Sequence, residues 1–152
     1  MGFLARLLFG KPPRRIAHPV FGEALLMSAK NGSYWEVETE VDGKPFTVAI
    51  ETVNDQEPSP AQVEFFKRFS GNSDLAFQRA SGLLIQEYEK WVRQPFPNDW
   101  REGFAFTGMS VPLDGDDAKP WELSFECLND RGGHLFTCTF ENGSPKEVKV
   151  DG

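Results

Sequence analysis

Two cysteines and two histidines are the side chains best suited to nucleophilic, redox or metal chemistry in this 152-residue chain. Gly132-Gly133 predicts a two-residue hairpin loop, which places Cys127 directly opposite Cys138 on the paired strand. Opposed side chains have Cβ atoms about 4.5–5.5 Å apart, so one interpretation is a redox-sensitive pair. The other interpretation is two small apolar residues that fill a core, and we favour it for a reducing compartment.

Metal binding has little support in the spacing of potential ligands. Zinc sites use three or four Cys, His or carboxylate ligands. His134 would share the hairpin face with the two cysteines, which leaves a three-ligand site as an alternative, whereas His18 precedes Pro19 in an entry loop. The acidic run Asp114-Gly-Asp-Asp117 is too short for a calcium loop. We therefore expect no metal and no cofactor.

The motifs of common enzyme classes are missing from the sequence. It has no Gly-x-Ser-x-Gly elbow, no Gly-x-x-x-x-Gly-Lys-Ser/Thr phosphate loop and no Gly-x-Gly-x-x-Gly fingerprint. We therefore predict no catalytic residues and a non-enzymatic protein. The alternative is a small hydrolase-like enzyme whose site uses His134 and nearby acids.

The charge is unevenly distributed along the chain. The net charge is −7, but the first 15 residues contain four basic side chains and no acid, namely Arg6, Lys11, Arg14 and Arg15. The remaining residues hold 12 basic and 23 acidic side chains, a balance of −11. Such a body is a poor nucleic-acid binder, because phosphate contacts need clustered Lys and Arg. It is suited to a basic partner.

A row of acids is the most specific candidate for a partner-binding surface. Glu36, Glu38 and Glu40 project from one face of a predicted strand at intervals of about 6.8 Å. Three like charges in a row repel one another, and a partner with Lys or Arg opposite them would turn that cost into attraction. The alternative is a solvated face that keeps the sheet soluble. We add to the candidate surface the acids of the 114–117 turn and one aromatic in a polar, Pro-rich loop: Asp114, Asp116, Asp117 and Trp100.

The elements that position these residues follow from periodicity and turn signals. Alternating apolar residues and the Asn31-Gly32, Asp42-Gly43 and Asn142-Gly143 turns predict strands at Phe21–Ala29, Tyr34–Val41, Phe46–Val53, Phe104–Leu113, Trp121–Cys127, His134–Glu141 and Glu147–Val150. A capping box at Ser59-Pro-Ala-Gln62 predicts a first helix. Ser73 or Asp74 caps a second, whose apolar stripe we assign to the core: Phe77, Ala80, Leu84, Tyr88 and Trp91. The order β-β-β-α-α-β-β-β-β predicts an α+β fold, an antiparallel sheet with the helical pair packed on one face.

The N-terminal segment is predicted to lie outside the folded unit. We assign residues 1–17 to a basic, apolar tail and linker, and residues 18–152 to a single α+β domain. The apolar run of residues 1–10 is interrupted by Arg6 and is too short to span a membrane, so we expect a cytoplasmic protein. An alternative function is a membrane-surface or protein-interaction adaptor that uses residues 3–15. The oligomeric state is left open.

Several short stretches resemble a known group of proteins. They are His18-Pro-Val-Phe-Gly22 followed by a strand with Trp35, Trp121-Glu-Leu-Ser-Phe-Glu126, the segment 134–143, and the final Val150-Asp-Gly152. Together they resemble small bacterial cytoplasmic immunity-type proteins of polymorphic-toxin, contact-dependent and type VI secretion systems. The resemblance implies a non-enzymatic α+β protein that binds and neutralises a cognate toxin by direct occlusion. It carries over no catalytic residues.

Overall fold

Eight strands and two α-helices form an α+β fold in the described part of the chain. The structure, a computed structural model, describes residues 14–30 and 32–152. The sheet contains its strands in chain order, and every neighbouring pair is antiparallel except β4 and β5, which are parallel. The elements are β1 (Arg15–His18), β2 (Gly22–Ala29), β3 (Gly32–Val41), β4 (Lys44–Glu51), α1 (Pro60–Ser70), α2 (Ser73–Val92), β5 (Phe104–Val111), β6 (Trp121–Cys127), β7 (Leu135–Glu141) and β8 (Ser144–Asp151).

Tight turns join the antiparallel strands as two of the dipeptide signals predict. Asp42 and Gly43 have φ of 53° and 73° between β3 and β4, and Asn142 and Gly143 have φ of 54° and 78° between β7 and β8. Positive φ at both central positions is the geometry of the hairpin turn that matches strand twist, and Gly and Asn adopt it at low cost. Asn31, in the third signal, lies outside the described residues.

The helices begin and end at recognisable caps. At the start of α1 the backbone N–H of Gln62 donates to Ser59 Oγ at 3.2 Å, and the backbone N–H of Ser59 donates to Gln62 Oε1 at 3.0 Å. These two bonds confirm the predicted capping box. The cap of α2 is Asn72, whose Oδ1 accepts from Leu75 N–H at 3.1 Å, and not Ser73 or Asp74 as predicted. The helical pair lies between β4 and β5, where a parallel pairing needs a long crossover connection.

Both helices contribute aromatic side chains to a core shared with the sheet. Phe65 of α1 meets Trp121 of β6 edge-on at 5.0 Å between ring centroids, and Phe77 of α2 meets Phe125 at 6.3 Å. Trp121 and Phe125 alternate with exposed glutamates along β6, so they point to one face of the sheet. We call this the aromatic face.

The structure corrects two features of the predicted order. A strand precedes those predicted, because Arg15–His18 pairs with β2 instead of forming part of the linker. Four residues followed by Pro19 carry too short a pattern for the sequence to reveal a strand. The sheet is also not wholly antiparallel, since β4 and β5 pair in parallel. This pairing joins strands on either side of the helices, so no local turn signal indicates it.

Candidate functional site

Two rows of glutamates lie on the face opposite the aromatic face. Glu36, Glu38 and Glu40 follow one another along β3, next to small residues of β4: Ala49, Thr47 and Pro45. Ala49 pairs with Ser110 of β5, and Ser110 Oγ accepts from the backbone N–H of Glu122 on β6 at 2.9 Å. Glu122 and Glu126 therefore form a second row on the same face as the first. We call this surface, completed by Glu51, the glutamate face.

Concave surface on the glutamate face lies between these rows. A central groove of about 610 Å³ is lined by strand residues alone: Lys44, Pro45, Thr47, Ala49, Ala105, Thr107, Gly108, Met109, Glu122, Ser124, Glu126 and Leu135. An end pocket of about 440 Å³ shares two of them and is lined by Tyr34, Glu36, Ala49, Glu51, Ser110, Pro120, Trp121, Glu122 and Thr139. The floor of the central groove is made of small side chains because β4 and β5 carry Ala, Thr and Gly there.

The carboxylates of the glutamate face lack ion-pair partners among residues 14–30 and 32–152. The ion pairs in this part of the chain are Arg15–Glu23, Arg101–Asp74, Lys119–Asp114, His134–Asp130, Lys146–Glu141 and Lys149–Glu147. None includes Glu36, Glu38, Glu40, Glu51, Glu122 or Glu126. Two cations nevertheless lie close to these carboxylates, since Lys44 lines the central groove and the charge of Lys149 acts on Glu122. The acids of the glutamate face still outnumber these cations, so its charge is negative.

Burial raises the pKa of three groups at the end pocket. Burial raises the pKa of the Glu51 carboxyl. Burial, opposed by Lys149 and reinforced by the charge of Glu51, raises the pKa of Glu122. Burial first, then the charges of Glu36 and Glu51, raises the pKa of the Tyr34 hydroxyl. The shifts of the two carboxyls mark a site where negative charge is held at a cost, and the shift of the neutral Tyr34 hydroxyl reports the same negative surroundings. A cation placed there would relieve that cost.

The predicted acidic turn occupies a different place from the glutamate face. Its short 3-10 helix, Leu113–Gly115, lies against α1, where a Cβ on Gly115 would come within 2.4 Å of the Ala61 carbonyl oxygen. Asp114 pairs with Lys119 at 3.0 Å, and Asp116 accepts from Ala118 N–H at 3.0 Å. The Asp117 carbonyl accepts from the indole N–H of Trp121. These acids organise their own turn, and none lines the central groove or the end pocket.

Trp100 is not the exposed ring that the loop composition predicts. Its indole stacks on Phe77 with 4.9 Å between centroids and 5° between planes, and its Nε1 donates to Asp74 at 2.8 Å. The guanidinium of Arg101 lies 4.5 Å from its ring centroid. The side chain is half-buried, because the loop after α2 folds back onto the first turn of that helix. Hydrogen bonds from Trp100 and Arg101 lower the pKa of Asp74.

Among residues 14–30 and 32–152, the exposed aromatic is instead Trp91, which the helical stripe assigns to the core. Its side chain is 46% exposed, and its Nε1 donates to Asp130 at 3.1 Å. Asp130 also accepts from the backbone N–H of His134 at 3.1 Å and lies 2.9 Å from the His134 ring Nδ1. Burial raises the pKa of Asp130, but these hydrogen bonds outweigh it and hold the pKa below its usual value.

The Asp130–His134 pair has the geometry with which a carboxylate orients a catalytic imidazole. Nucleophilic catalysis also needs a nucleophile within reach of the second ring nitrogen and a cleft for substrate. In the described part of the chain the hydrogen bonds of the His134 ring go to Asp130, and the residue lines neither the central groove nor the end pocket. The hydrolase-like alternative therefore stays a prediction.

The two cysteines are not opposed, which corrects the predicted register. Leu123 pairs with Cys138 and Phe125 with Phe136, while Cys127 pairs with Phe104 on β5. The β6–β7 connection is longer than two residues. It is closed by Asp130, which accepts from the backbone N–H of His134, and by the Cys127 N–H, which donates to the His134 carbonyl at 2.9 Å. Both cysteines are buried and free, as the core interpretation predicts. Burial raises the pKa of the Cys127 thiol and raises that of Cys138 to about 12.

Metal-binding side chains do not cluster in the described ranges. No group of three or more His, Cys, Asp or Glu side chains there is arranged to hold a metal ion. The imidazole of His18 instead accepts from the backbone N–H groups of Val20 and Phe21 through Nδ1, at 3.1 and 3.2 Å. His18 therefore stabilises the turn between β1 and β2.

The residues of the candidate site that the sequence analysis missed are Glu51, Glu122 and Glu126. The alternation of Glu122 and Glu126 with apolar residues placed them on the polar face of their strand, and that was the available signal. The sequence did not indicate that β5 joins β4, which is the pairing that brings β6 near β3. A non-local contact therefore created the second row.

The predicted adaptor segment lies almost wholly outside the described residues, which begin at residue 14. Arg14, at its end, lies over the Trp35 ring at 5.4 Å and donates to the Asp55 carbonyl at 3.0 Å. Among the helices of the described residues, none has the length and apolar character needed to cross a membrane. Comparisons of the chain with protein-family models, with curated proteins and with solved structures found no match.

Proposed function

We propose that this chain is a non-enzymatic, immunity-type binding protein that neutralises a cognate bacterial toxin by direct occlusion, and that the glutamate face is its binding surface. The observation that carries the proposal is the set of unpaired carboxylates on that face, opposite a fully packed aromatic face. The resemblance to immunity-type proteins gives the class of partner. The partner surface is basic.

Electrostatics explain why such a face favours a basic partner. Neighbouring glutamates on one strand repel one another, and burial adds a cost for Glu51 and Glu122. Lys or Arg side chains of a partner would offset both costs by ion pairing when they dock. The same field accelerates encounter, because complementary charge raises association rates well above those of neutral surfaces.

Occlusion follows from the shape of the same surface. The central groove and the end pocket give the glutamate face a concave relief into which a protruding basic element can enter. A toxin that acts on an anionic substrate binds it through basic side chains. The glutamate rows would occupy those side chains as a mimic of the substrate, so binding and neutralisation are one event.

The proposal is tested by capturing the partner from the native host and measuring how charge affects its binding. The variant Glu36→Lys, Glu38→Lys, Glu40→Lys should reduce the association rate by at least about tenfold at low salt, with a smaller effect at high salt. The matched control is Glu57→Lys, Glu64→Lys, Glu87→Lys, which makes the same charge change on α1, α2 and the loop before them. It should retain most of the association rate.

Protection of cells supplies the functional readout. Cells that express the wild-type chain or the control variant should survive production of the captured toxin, whereas cells with the lysine variant should not. If both triple variants slow association equally, only net charge matters and the glutamate face is not the binding surface. If the captured protein is not toxic to cells that lack this chain, the immunity role is wrong.

A further inference from the structure

The last strand of the sheet, β8, has one edge without a neighbouring strand. It pairs with β7 on one side, and no strand within residues 14–30 and 32–152 pairs with its other side. The opposite edge of the sheet is β1, which has four residues, whereas β8 has eight. An unpaired edge presents a row of backbone N–H and C=O groups to which a second strand can bind. The longer edge open to another chain is therefore β8.

Protection of this edge by backbone features is confined to the first half of β8. Proteins blunt sheet edges with proline, which lacks an N–H, and with bulges that twist the edge away. Pro145 pairs with Phe140, and Lys146 is the extra residue of a bulge. From Glu147 to Asp151 the pairing with β7 is regular, and this segment contains neither proline nor glycine. The second half of the edge therefore keeps the geometry needed for pairing.

The charges of this second half alternate in sign along one face. Glu147, Lys149 and Asp151 lie on the glutamate face, since the β7 residues opposite them pair in turn with the β6 residues of that face. Val148 and Val150 point to the aromatic face and are half-buried. Charged side chains discourage an edge from pairing with strands of arbitrary charge. A strand with the order acid, base, acid can still accept its own copy running in the opposite direction.

The charge pattern selects among the symmetric registers. A two-fold axis normal to the sheet pairs β8 antiparallel with its copy and keeps each side chain on its own face. When the pairing is centred on Val148 or Val150, Lys149 lies opposite Glu147 or Asp151 of the second copy, and the symmetry makes this contact twice. A pairing centred on Lys149 would oppose like charges at every charged position. Directly opposed unlike charges stabilise a strand pair and like charges destabilise it.

We propose that the second half of β8 pairs with the same segment of a second copy of this chain, and that Lys149 forms an ion pair with an acid of the other strand. The pairing extends one sheet through both copies and covers the remaining surface of the half-buried Val148 and Val150. The axis leaves both glutamate faces on the same side of that sheet. The inference is independent of the proposed function, because the dimer needs no toxin and a monomer keeps its own glutamate face.

Sedimentation equilibrium of the full-length chain tests the proposal. The concentration series extends to about 500 µM, because an interface as small as one strand pair binds weakly. The wild-type chain should reach twice the monomer mass. Lys149→Glu leaves only acids on this face of the second half, so every register is repulsive, and it should weaken dimerisation by at least about tenfold. The matched control is Lys67→Glu, the same charge change on exposed α1, which should leave dimerisation unchanged.

Charge exchange separates a paired strand from an effect of net charge. Adding Glu147→Lys or Asp151→Lys to Lys149→Glu restores an unlike pair in one register each, so at least one double variant should recover dimerisation to within about threefold of wild type. Adding Glu64→Lys on α1 gives the same net charge and should recover nothing. Thermal unfolding of each variant establishes that it is folded. Recovery by neither exchange, or equal recovery with Glu64→Lys, would overturn the proposal.

Amide hydrogen exchange locates the interface on the backbone. Exchange in the segment 147–151 should slow as the wild-type concentration rises, because outward-facing N–H groups become bonded to the second copy. Exchange in β1 should not change with concentration, and Lys149→Glu should show no slowing in either segment. A chain that stays monomeric over the whole series, or a dimer that protects another segment and leaves β8 unprotected, would show that β8 does not pair with its copy.

Discussion

The two faces of one sheet differ in how well their side chains satisfy each other. On the aromatic face, Phe125 lies 5.1 to 6.3 Å from four other rings, those of Phe77, Trp100, Phe104 and Phe106, and is fully buried. On the glutamate face, the next residue along the chain, Glu126, has no ion-pair partner among the described residues.

This contrast distinguishes side chains that stabilise the fold from side chains kept for another reason. Burial and ring contacts on the aromatic face account for its composition without any partner. Repulsion between glutamates and the partial loss of water around the exposed Glu122 carboxyl do not stabilise the fold. Such side chains on one surface are what the proposed binding function requires.

Adjacent residues of β6 give the strongest test of the contrast. Phe125→Ala removes a buried ring and should lower the free energy of unfolding by about 3–5 kcal/mol, while Glu126→Ala should change it by about 0.5 kcal/mol or less. Urea unfolding measures both. Similar losses for the two variants would show that the faces do not differ as described.

Thiol reactivity probes the two faces of β7. Cys138 is buried with a pKa raised to about 12, so its labelling by a thiol reagent at pH 8 should be at least about a hundredfold slower than in denaturant. A cysteine at the neighbouring position, Thr139→Cys, lies on the glutamate face and should label rapidly. Rapid labelling of Cys138 in the native protein would mean that the core opens easily.

Arg79 tests how far the aromatic face depends on a charged side chain. Its guanidinium lies 5.6 to 5.9 Å from the ring centroids of Phe69, Trp121 and Phe140, and it donates to the Gly143 carbonyl at 3.1 Å. Arg79→Met should lower the free energy of unfolding by about 1–3 kcal/mol. Arg68→Met is the control, because exposed Arg68 contacts only the rings of Phe65 and Phe69 and should have a smaller effect.

Local patterns predicted most of the elements, and non-local contacts account for the errors. The capping box at Ser59 and the Asp42-Gly43 turn depend on residues within a few positions, so the sequence shows them directly. The β6–β7 register depends on Asp130, whose side chain holds the connection through His134. No dipeptide signal reports such a contact.

The same distinction explains the candidate site. The row of Glu36, Glu38 and Glu40 was predicted because these glutamates alternate with apolar residues on one strand. The row of Glu122 and Glu126 became part of the site only through the parallel pairing of β4 and β5, which joins segments separated by both helices. A similar reason explains why Trp91 is exposed and Trp100 is half-buried, the reverse of the prediction. Asp130, from a distant segment, accepts from the Trp91 indole, and Asp74 accepts from the Trp100 indole because the loop that holds Trp100 folds back onto α2.

A positive charge in the end pocket tests the glutamate face without disturbing the core. Ala49→Lys places an ammonium beside Glu36, Glu51 and Glu122, which should leave stability unchanged or slightly raised. It should weaken the binding of a basic partner by about tenfold or more, because it both fills the end pocket and neutralises its charge. Ala49→Gln, which has similar length and no charge, should weaken binding less. Equal effects would assign the loss to shape alone.

The smallest expected effect concerns the cost of keeping Glu122 on the glutamate face. Burial raises its pKa, so the folded state binds a proton more readily than the unfolded state, and the folded protein loses stability as pH rises from the ordinary glutamate value through the raised one. Glu122 is exposed, so solvent screens most of that loss. Glu122→Gln should therefore increase the free energy of unfolding at pH 7 by about 0.3 kcal/mol or less. The gain should shrink as the pH is lowered through the raised pKa toward the ordinary glutamate value of 4.5, because the folded wild-type carboxyl protonates over this range. Urea unfolding at both pH values, with Glu126→Gln as the control on the same strand, measures the difference.

A variant that is more stable at pH 7 yet binds the partner less tightly would show that Glu122 is kept for binding at the expense of stability. A variant that is less stable at pH 7 would place Glu122 among the residues that support the fold.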